Sequence, residues 1–337
     1  MKIGNFDTDK KVLIIAEIGN NHEGDFGLAL EMIDAAAQAG ADAVKFQTIT
    51  PNRLVRSSEN KRLDQLEKFS FKPDQFAKLK DHADKNHVLF LSTPFDLHVI
   101  EWLDDLVPAY KIASGDNNFW PLLQQVAQKA KPIILSLGLG EIKQAIKLKS
   151  FIENAWSEWG GGDPGLAFLH CVVSYPTPED QAFLRNIDSI KQLQVTPGYS
   201  DHTIGTKAAE LSVACGAKII EKHFTLDKNY SDFRDHQLSA DPKDLENLCS
   251  AVRHVEKLLG SSESLMQECE KGNKEAVRRS ISIKRDMVAG QTVTFDDLCW
   301  LRPGDGLAPG LEDSVVGKKL SVPVVQGMPL LSEYFEN

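Results

Sequence analysis

Two histidines stand in short polar motifs, Gly198-Tyr199-Ser200-Asp201-His202-Thr203 and Glu221-Lys222-His223-Phe224-Thr225. Each motif closes a strand-like run, residues 194–196 before the first and 217–220 before the second, with one helix-like stretch at about 206–215 between them. If the two strands are parallel neighbours, both imidazoles emerge at the same end of a sheet. Two imidazoles with open positions beside them suit a divalent metal that polarises an oxygen or activates water. The lysines of the surrounding motifs point to a phosphorylated ligand.

Two of those lysines lie inside apolar runs, Val44-Lys45-Phe46-Gln47-Thr48 and Tyr110-Lys111-Ile112-Ala113-Ser114-Gly115. A buried ammonium needs an anion beside it. That anion is either a bound phosphate or carboxylate, or a structural partner such as Glu17 or another acid. Further polar groups stand where apolar runs end: Glu17 before Gly19-Asn20-Asn21-His22, Thr93 in Ser92-Thr93-Pro94-Phe95, Ser136 before Gly138, and Ser174 with Tyr175. Serines beside glycines suit phosphate cradles and ordinary turns equally. Among the remaining histidines, His22 and His236 are the candidates to line the same mouth, and His170 reads as a core residue.

The elements that must carry these residues alternate. Strand-like runs at 12–16, 43–47, 88–92, 109–113, 132–136, 166–171, 194–199 and 217–223 are each followed by a helical pattern. The helices read as 25–39, 73–86, 96–106, 118–129, 141–158, 179–193, 205–215 and 242–259, the second delayed by a polar stretch at 50–70. Eight such units within 260 residues, without a Gly-x-Gly-x-x-Gly after the first strand, predict a (β/α)8 TIM barrel over a doubly wound sheet. In that fold the active site lies at the C-terminal strand ends, where all the polar motifs fall. After Gly260 the pattern changes. Residues 261–278 read as a linker with some helical potential, and 279–337 as a small β-rich domain with strand-like pieces at 280–284 and 322–325.

Composition narrows the function classes. The chain has 337 residues, 42% hydrophobic and 26% charged, with a net charge of −10. That balance, with no basic run, argues against a nucleic-acid partner and requires local cations to hold any anionic substrate. No run of eighteen apolar residues predicts a membrane span. Residues 1–11 are polar and lack the apolar centre of a secretory signal. The five cysteines include no Cys-x-x-Cys pair, so free thiols and a reducing, cytoplasmic setting are expected.

Taken in order, Ala16-Glu17-Ile18-Gly19-x-Asn21-His22-x-Gly24, Val44-Lys45-Phe46-Gln47, Ser92-Thr93-Pro94-Phe95, Lys111-Ile112-Ala113-Ser114-Gly115, Tyr175-Pro176-x-Pro178 and the two histidine motifs resemble the sialic acid (nonulosonate) synthases. Leu301-Arg302-Pro303-Gly304-Asp305-Gly306 is similar to the antifreeze-like domain of those enzymes. The resemblance implies condensation of phosphoenolpyruvate with an acylamino hexose. Carbon C3 of phosphoenolpyruvate attacks the sugar aldehyde, water adds at C2, and phosphate leaves by C–O cleavage. It implies that His202 and His223 hold Mn2+ or Mg2+, and that Glu17 carries a proton near the reacting carbon. Lys45, Thr93, Lys111, Ser114, Ser136 and Ser200 would hold phosphoenolpyruvate. Gln47, Tyr175 and Asp235 would line the sugar site, and Arg302 would reach it from the neighbouring subunit of a domain-exchanged homodimer. Val173 stands where some members carry asparagine; either Ser174 replaces that polar contact or one phosphate contact is absent. Residues 230–236 differ from the glycine- and proline-rich version common in the family, so the sugar is left open between N-acetylmannosamine, a 2,4-diacetamido-trideoxy hexose and a 6-phosphorylated sugar. The competing readings are another phosphoenolpyruvate-dependent deoxy-aldulosonate synthase, and a carbohydrate- or ice-binding protein.

Overall fold

The computed structural model describes residues 1–160, 162–260 and 265–336. The chain forms two compact units that divide after Gly260. The start of the expected linker, 261–264, and the last residue of the expected C-terminal domain lie outside the described residues.

The first unit is a (β/α)8 TIM barrel. Its strands are β1 (Leu13–Gly19), β2 (Ala43–Thr48), β3 (Leu89–Pro94), β4 (Tyr110–Ile112), β5 (Ile133–Ser136), β6 (Leu166–Cys171), β7 (Thr196–Asp201) and β8 (Ile219–His223). All pair in parallel in the order β3-β2-β1-β8-β7-β6-β5-β4, and β3 and β4 face each other where the barrel closes. An N-terminal hairpin, Lys2–Ile3 with Phe6–Asp7, is an element that the alternation does not reveal.

Strand side chains alternate between two cores. Leu13, Ile15, Ala43, Leu91, Ala109, Ile134, Ala167, Leu169 and Ile219 pack inside the barrel with Ile3 of the hairpin. Their neighbours Ile14, Ala16, Val44, Phe46, Phe90, Tyr110, Ile112, Leu135, Phe168 and Ile220 pack outward against the helices. The final helix, Pro242–Leu259, shows how a helix is held there. Asp241 caps it by accepting from the Asp244 amide at 2.9 Å, and Leu245, Leu248, Cys249 and Val252 face the barrel. A cap of this kind contributes about 1 kcal/mol and each buried leucine roughly 2 kcal/mol.

Several elements differ from the periodicity. The polar stretch at 50–70 holds a helix, Asn60–Phe69, because Leu66 and Phe69 bury one narrow face. The helix expected at 179–193 is reduced to a single turn at Glu179–Gln181 and a short helix at Asn186–Lys191, with Phe183 between them at positive φ. The helix at 96–106 begins as a 3-10 turn, Leu97–Val99, before Ile100–Asp104.

The second unit has its own small core of Ile281, Ile283, Met287, Val293, Leu298, Val315, Leu320, Val324, Leu330 and Phe335. One antiparallel pair, β9 (Ser280–Ile283) with β10 (Leu298–Leu301), organises it. The strand expected at 322–325 is only a single bridge between Met287 and Val324. Short turns at Glu268–Asn273 and Lys274–Val277 occupy the expected linker. Among the described residues no helix is long and apolar enough to cross a membrane.

Candidate active site

Each inward-facing row ends in polar residues at the C-terminal mouth. On β1 the row Leu13, Ile15 continues to Glu17; on β2, Ala43 leads to Lys45 and Gln47; on β8, Ile219 leads to Glu221 and His223. The period of two therefore delivers functional groups above a sealed apolar plug. They line a pocket of about 210 Å3. Glu17, Lys45, Gln47, Thr93, Lys111, Ser114, Ser136, Tyr175, Ser200, His202, His223 and Asp235 are all brought together there. Arg302 belongs to the second unit, where it borders a cleft with Lys271, Lys274, Arg278 and Arg279.

At the centre are two buried lysines and two buried carboxylates. Lys45 Nζ lies 2.8 Å from Glu17 Oε2 and 3.5 Å from Glu221 Oε2, and donates to Thr93 Oγ1 at 3.1 Å. Lys111 Nζ donates to Ser136 Oγ at 2.8 Å and lies 3.6 Å from Glu221 Oε1, which also accepts from Ser200 Oγ at 2.8 Å. Gln47 Nε2 donates to Glu17 Oε1 at 3.2 Å. The lysines are therefore paired with acids, and they face the pocket.

The two carboxylates are set apart electrically. Burial would raise the Glu221 carboxyl, but the charges of Lys111 and Lys45 outweigh it and hold the group below the ordinary range. For Glu17 burial wins, aided by the nearby Glu221 charge and opposed by Lys45, so its carboxyl is raised. The two acids are thus shifted in opposite directions by their surroundings. Glu221 is absent from the residues singled out by sequence. The signal was present, because residue i−2 from His223 on a strand faces the same way.

Above this cluster the His202 and His223 ring centroids are 5.4 Å apart. His202 Nδ1 lies 2.8 Å from the Val172 carbonyl oxygen and donates to it, so that in the neutral ring the lone pair falls on Nε2; Cys171 Sγ is 3.8 Å from the same Nδ1. His223 Nδ1 is buried without a hydrogen-bond partner, and burial together with His202 and Lys45 keeps that ring neutral. An unpartnered buried ring nitrogen and a tautomer fixed by a carbonyl are the donor chemistry of metal-binding imidazoles. Among the described residues no three His, Cys, Asp or Glu side chains converge on one point, so the chain would offer these two ligands and leave the other positions open.

Tyr175 packs on His202, centroids 4.1 Å apart, and the Arg234 guanidinium lies 4.4 Å from the Tyr175 ring. Phe233, Arg234 and Asp235 form one wall of the mouth, with Arg62 and Asn20 also on its lining. Val173 lines the pocket, whereas Ser174 donates to the Pro176 carbonyl at 2.9 Å and is not on the lining; it does not replace the missing polar contact. His22 and His236 do not line the mouth either. His22 is buried against Phe71, centroids 4.3 Å apart, and accepts from the Gly24 amide. His236 is buried, with Nδ1 2.7 Å from Thr225 Oγ1. His170 is a core residue, bonded to the Ala182 carbonyl. All five cysteines are free; Cys171 lines the pocket.

Residues 32–264 match the NeuB family model. The chain belongs to the NeuB family. It is 38% identical to N,N'-diacetyllegionaminic acid synthase of Legionella pneumophila, over 96% of this chain and 94% of that protein. It is 34% identical to pseudaminic acid synthase of Campylobacter jejuni, over 99% of this chain and 100% of that one. Among solved structures, N-acetylneuraminic acid synthetase from Leptospira borgpetersenii, in complex with citrate, aligns with this NeuB-family chain with a TM-score of 0.75 and 34% identity, covering 81% of this chain and 94% of that one.

Proposed function

We propose that this NeuB-family chain is a nonulosonic acid synthase that joins phosphoenolpyruvate to an N-acylated hexosamine. The observation that carries the reading is the convergence of two buried lysines, two buried carboxyls and two imidazoles on one small pocket at the strand ends. Its favoured sugar is a 2,4-diacetamido-trideoxy hexose, in line with the 38% identity to the legionaminic acid synthase.

In this reading Lys45 and Lys111 balance the phosphate and carboxylate of phosphoenolpyruvate, with Thr93, Ser114, Ser136 and Ser200 as hydroxyl donors. His202 and His223 would hold a divalent cation, Mn2+ or Mg2+, and the chemistry it would supply is Lewis acidity toward the sugar carbonyl. Gln47, Tyr175 and Asp235 fix the open-chain sugar so that C3 of phosphoenolpyruvate meets the aldehyde carbon and the C–C bond forms. Glu17 moves the protons: its raised carboxyl supplies one to the developing alkoxide, and the resulting carboxylate takes one from the water that adds at C2. Breaking the C2–O bond to phosphate, with the C2 hydroxyl proton passing to the departing phosphate, then releases inorganic phosphate and leaves the 2-keto acid. Glu221 keeps both lysines charged and oriented throughout. Arg302 reaches the acylamino group from the antifreeze-like unit of a second subunit, which makes the working form a homodimer with exchanged domains.

The test is phosphate release from phosphoenolpyruvate over a panel of N-acetylmannosamine, its 6-phosphate and 2,4-diacetamido-trideoxy hexoses, with mass spectrometry of the product. Release is expected with a diacetamido sugar and is lost in chelator. Release with no acylamino hexose, or full turnover in chelator, would overturn the synthase or the metal reading respectively.

A further inference from the structure

The residue preceding each pocket histidine is also charged: Asp201 before His202, Lys222 before His223. Neither reaches the pocket. Strand alternation turns them outward, between the barrel and its helices, where both side chains are completely buried. The β7–β8 register sets Lys222 opposite Asp201. Lys222 Nζ donates to Asp201 Oδ2 at 3.0 Å and to the Thr203 carbonyl at 2.5 Å. Asp201 Oδ1 accepts from the Thr203 amide at 2.9 Å, the Thr203 hydroxyl at 2.8 Å and the Tyr199 hydroxyl at 3.2 Å.

The connectivity is specific. Lys222 grips the chain on both sides of His202, through the Asp201 side chain and the Thr203 carbonyl, while itself being the residue before His223. A buried ion pair adds little net stability over an apolar pair of similar size, because desolvating two charges is expensive. What it adds here is direction: each bond constrains the backbone from which an imidazole projects.

We propose that Asp201 and Lys222 are positioning residues, a clamp behind the pocket wall that fixes the separation of His202 and His223 for divalent-cation binding. The proposal rests on the metal role in the proposed function and adds residues that touch neither cation nor substrate.

The test uses the full chain stripped of metal, titrated with Mn2+ while free Mn2+ is read by electron paramagnetic resonance. Histidine ring signals are followed in parallel by 15N–1H correlation spectra without metal. Asp201→Asn, folded by circular dichroism, is expected to bind Mn2+ at least about tenfold more weakly, the loss seen when a supporting hydrogen bond behind a ligand is removed. The ring signals of both His202 and His223 should shift. Asp42→Asn is the stability control, since it breaks a partly buried network with Arg253 and the Ile14 amide at the start of β2. It should lower the melting temperature yet keep Mn2+ affinity within about twofold, as expected of a distant site. Unchanged affinity and unchanged ring signals in folded Asp201→Asn overturn the clamp. Should that variant not fold, Thr203→Val, which removes only one bond to Asp201, decides: weaker binding with shifted rings supports the clamp, wild-type behaviour overturns it. If the wild-type chain itself binds no Mn2+, the metal reading fails, and the ring signals alone judge the clamp: shifted rings support it, unmoved rings overturn it.

Discussion

A histidine's type says less than its surroundings. His22 and His223 are both buried and both neutral, yet only His223 keeps an unpartnered nitrogen beside the pocket. His22 stacks on Phe71 and carries a structural consequence instead. Burial pushes its imidazole down to about 3, against the opposing pull of the Gly19 backbone and Asp25. The folded chain therefore resists protonation where the unfolded chain accepts it, at about pH 6.5. The His22 contribution is complete above that pH, is lost at about 1.4 kcal/mol per unit as pH falls, and levels off near pH 3. Urea unfolding should show wild type losing about 2 kcal/mol more than His22→Gln between pH 7 and pH 5. Equal losses would mean that the ring is already solvated in the folded state.

The elements matter through how their ends approach one another. Ser136 closes β5 and Ser114 follows β4, and the loop after β5 passes so close that Gly138 donates its amide to Ser114 Oγ at 3.1 Å. A β-carbon at Gly138 would lie 2.6 Å from that oxygen and 2.5 Å from Val173 Cγ2. The glycine is needed for the close approach that fixes the serine. Gly138→Ala is expected to lose roughly 1–3 kcal/mol of stability from overpacking. It should also raise the KM for phosphoenolpyruvate more than that for the sugar, because it is the serine side of the pocket that shifts. Thermal melts and steady-state kinetics check both, and equal KM changes would place the phosphate elsewhere. Much of this layout is legible in the sequence. All eight strands and the polar residue at each C-terminal end follow from apolar runs and the period of two, and the same period reaches Glu221 from His223. The helix at Asn60–Phe69 is not legible, because only Leu66 and Phe69 bury and its other faces are polar.

At the scale of the molecule, a net charge of −10 coexists with local cations in both units: Lys45 and Lys111 in the barrel mouth, and Arg302 among Lys271, Lys274, Arg278 and Arg279 in the second unit. Should the pocket take an anion, as proposed, these cations are what would draw it to a chain that repels it overall. If Arg302 completes a partner's site, inactive variants should complement each other. In an equal mixture of Glu17→Ala and Arg302→Ala subunits, half of the dimers are mixed and each has one intact site of two. Activity at low sugar concentration should then recover to about a quarter of wild type. Recovery no greater than the mean of the two parent variants would mean that sites are not shared.

The sequence by itself determined the barrel, the end of the barrel where the polar residues collect, and most of the residues gathered there. These follow from local rules, since a strand side chain's direction repeats every two residues whatever lies across from it. Tertiary structure alone decided the partnerships: Lys45 with Glu17 and Glu221, Lys111 with Glu221, and Asp201 with Lys222 behind the histidines. Lys111 and Glu221 sit on β4 and β8, with three strands between them in the sheet order, and they meet because the sheet curls into a barrel. Curvature and register belong to the closed sheet, and so do the electric fields that divide one acid from the other. No run of residues encodes them locally.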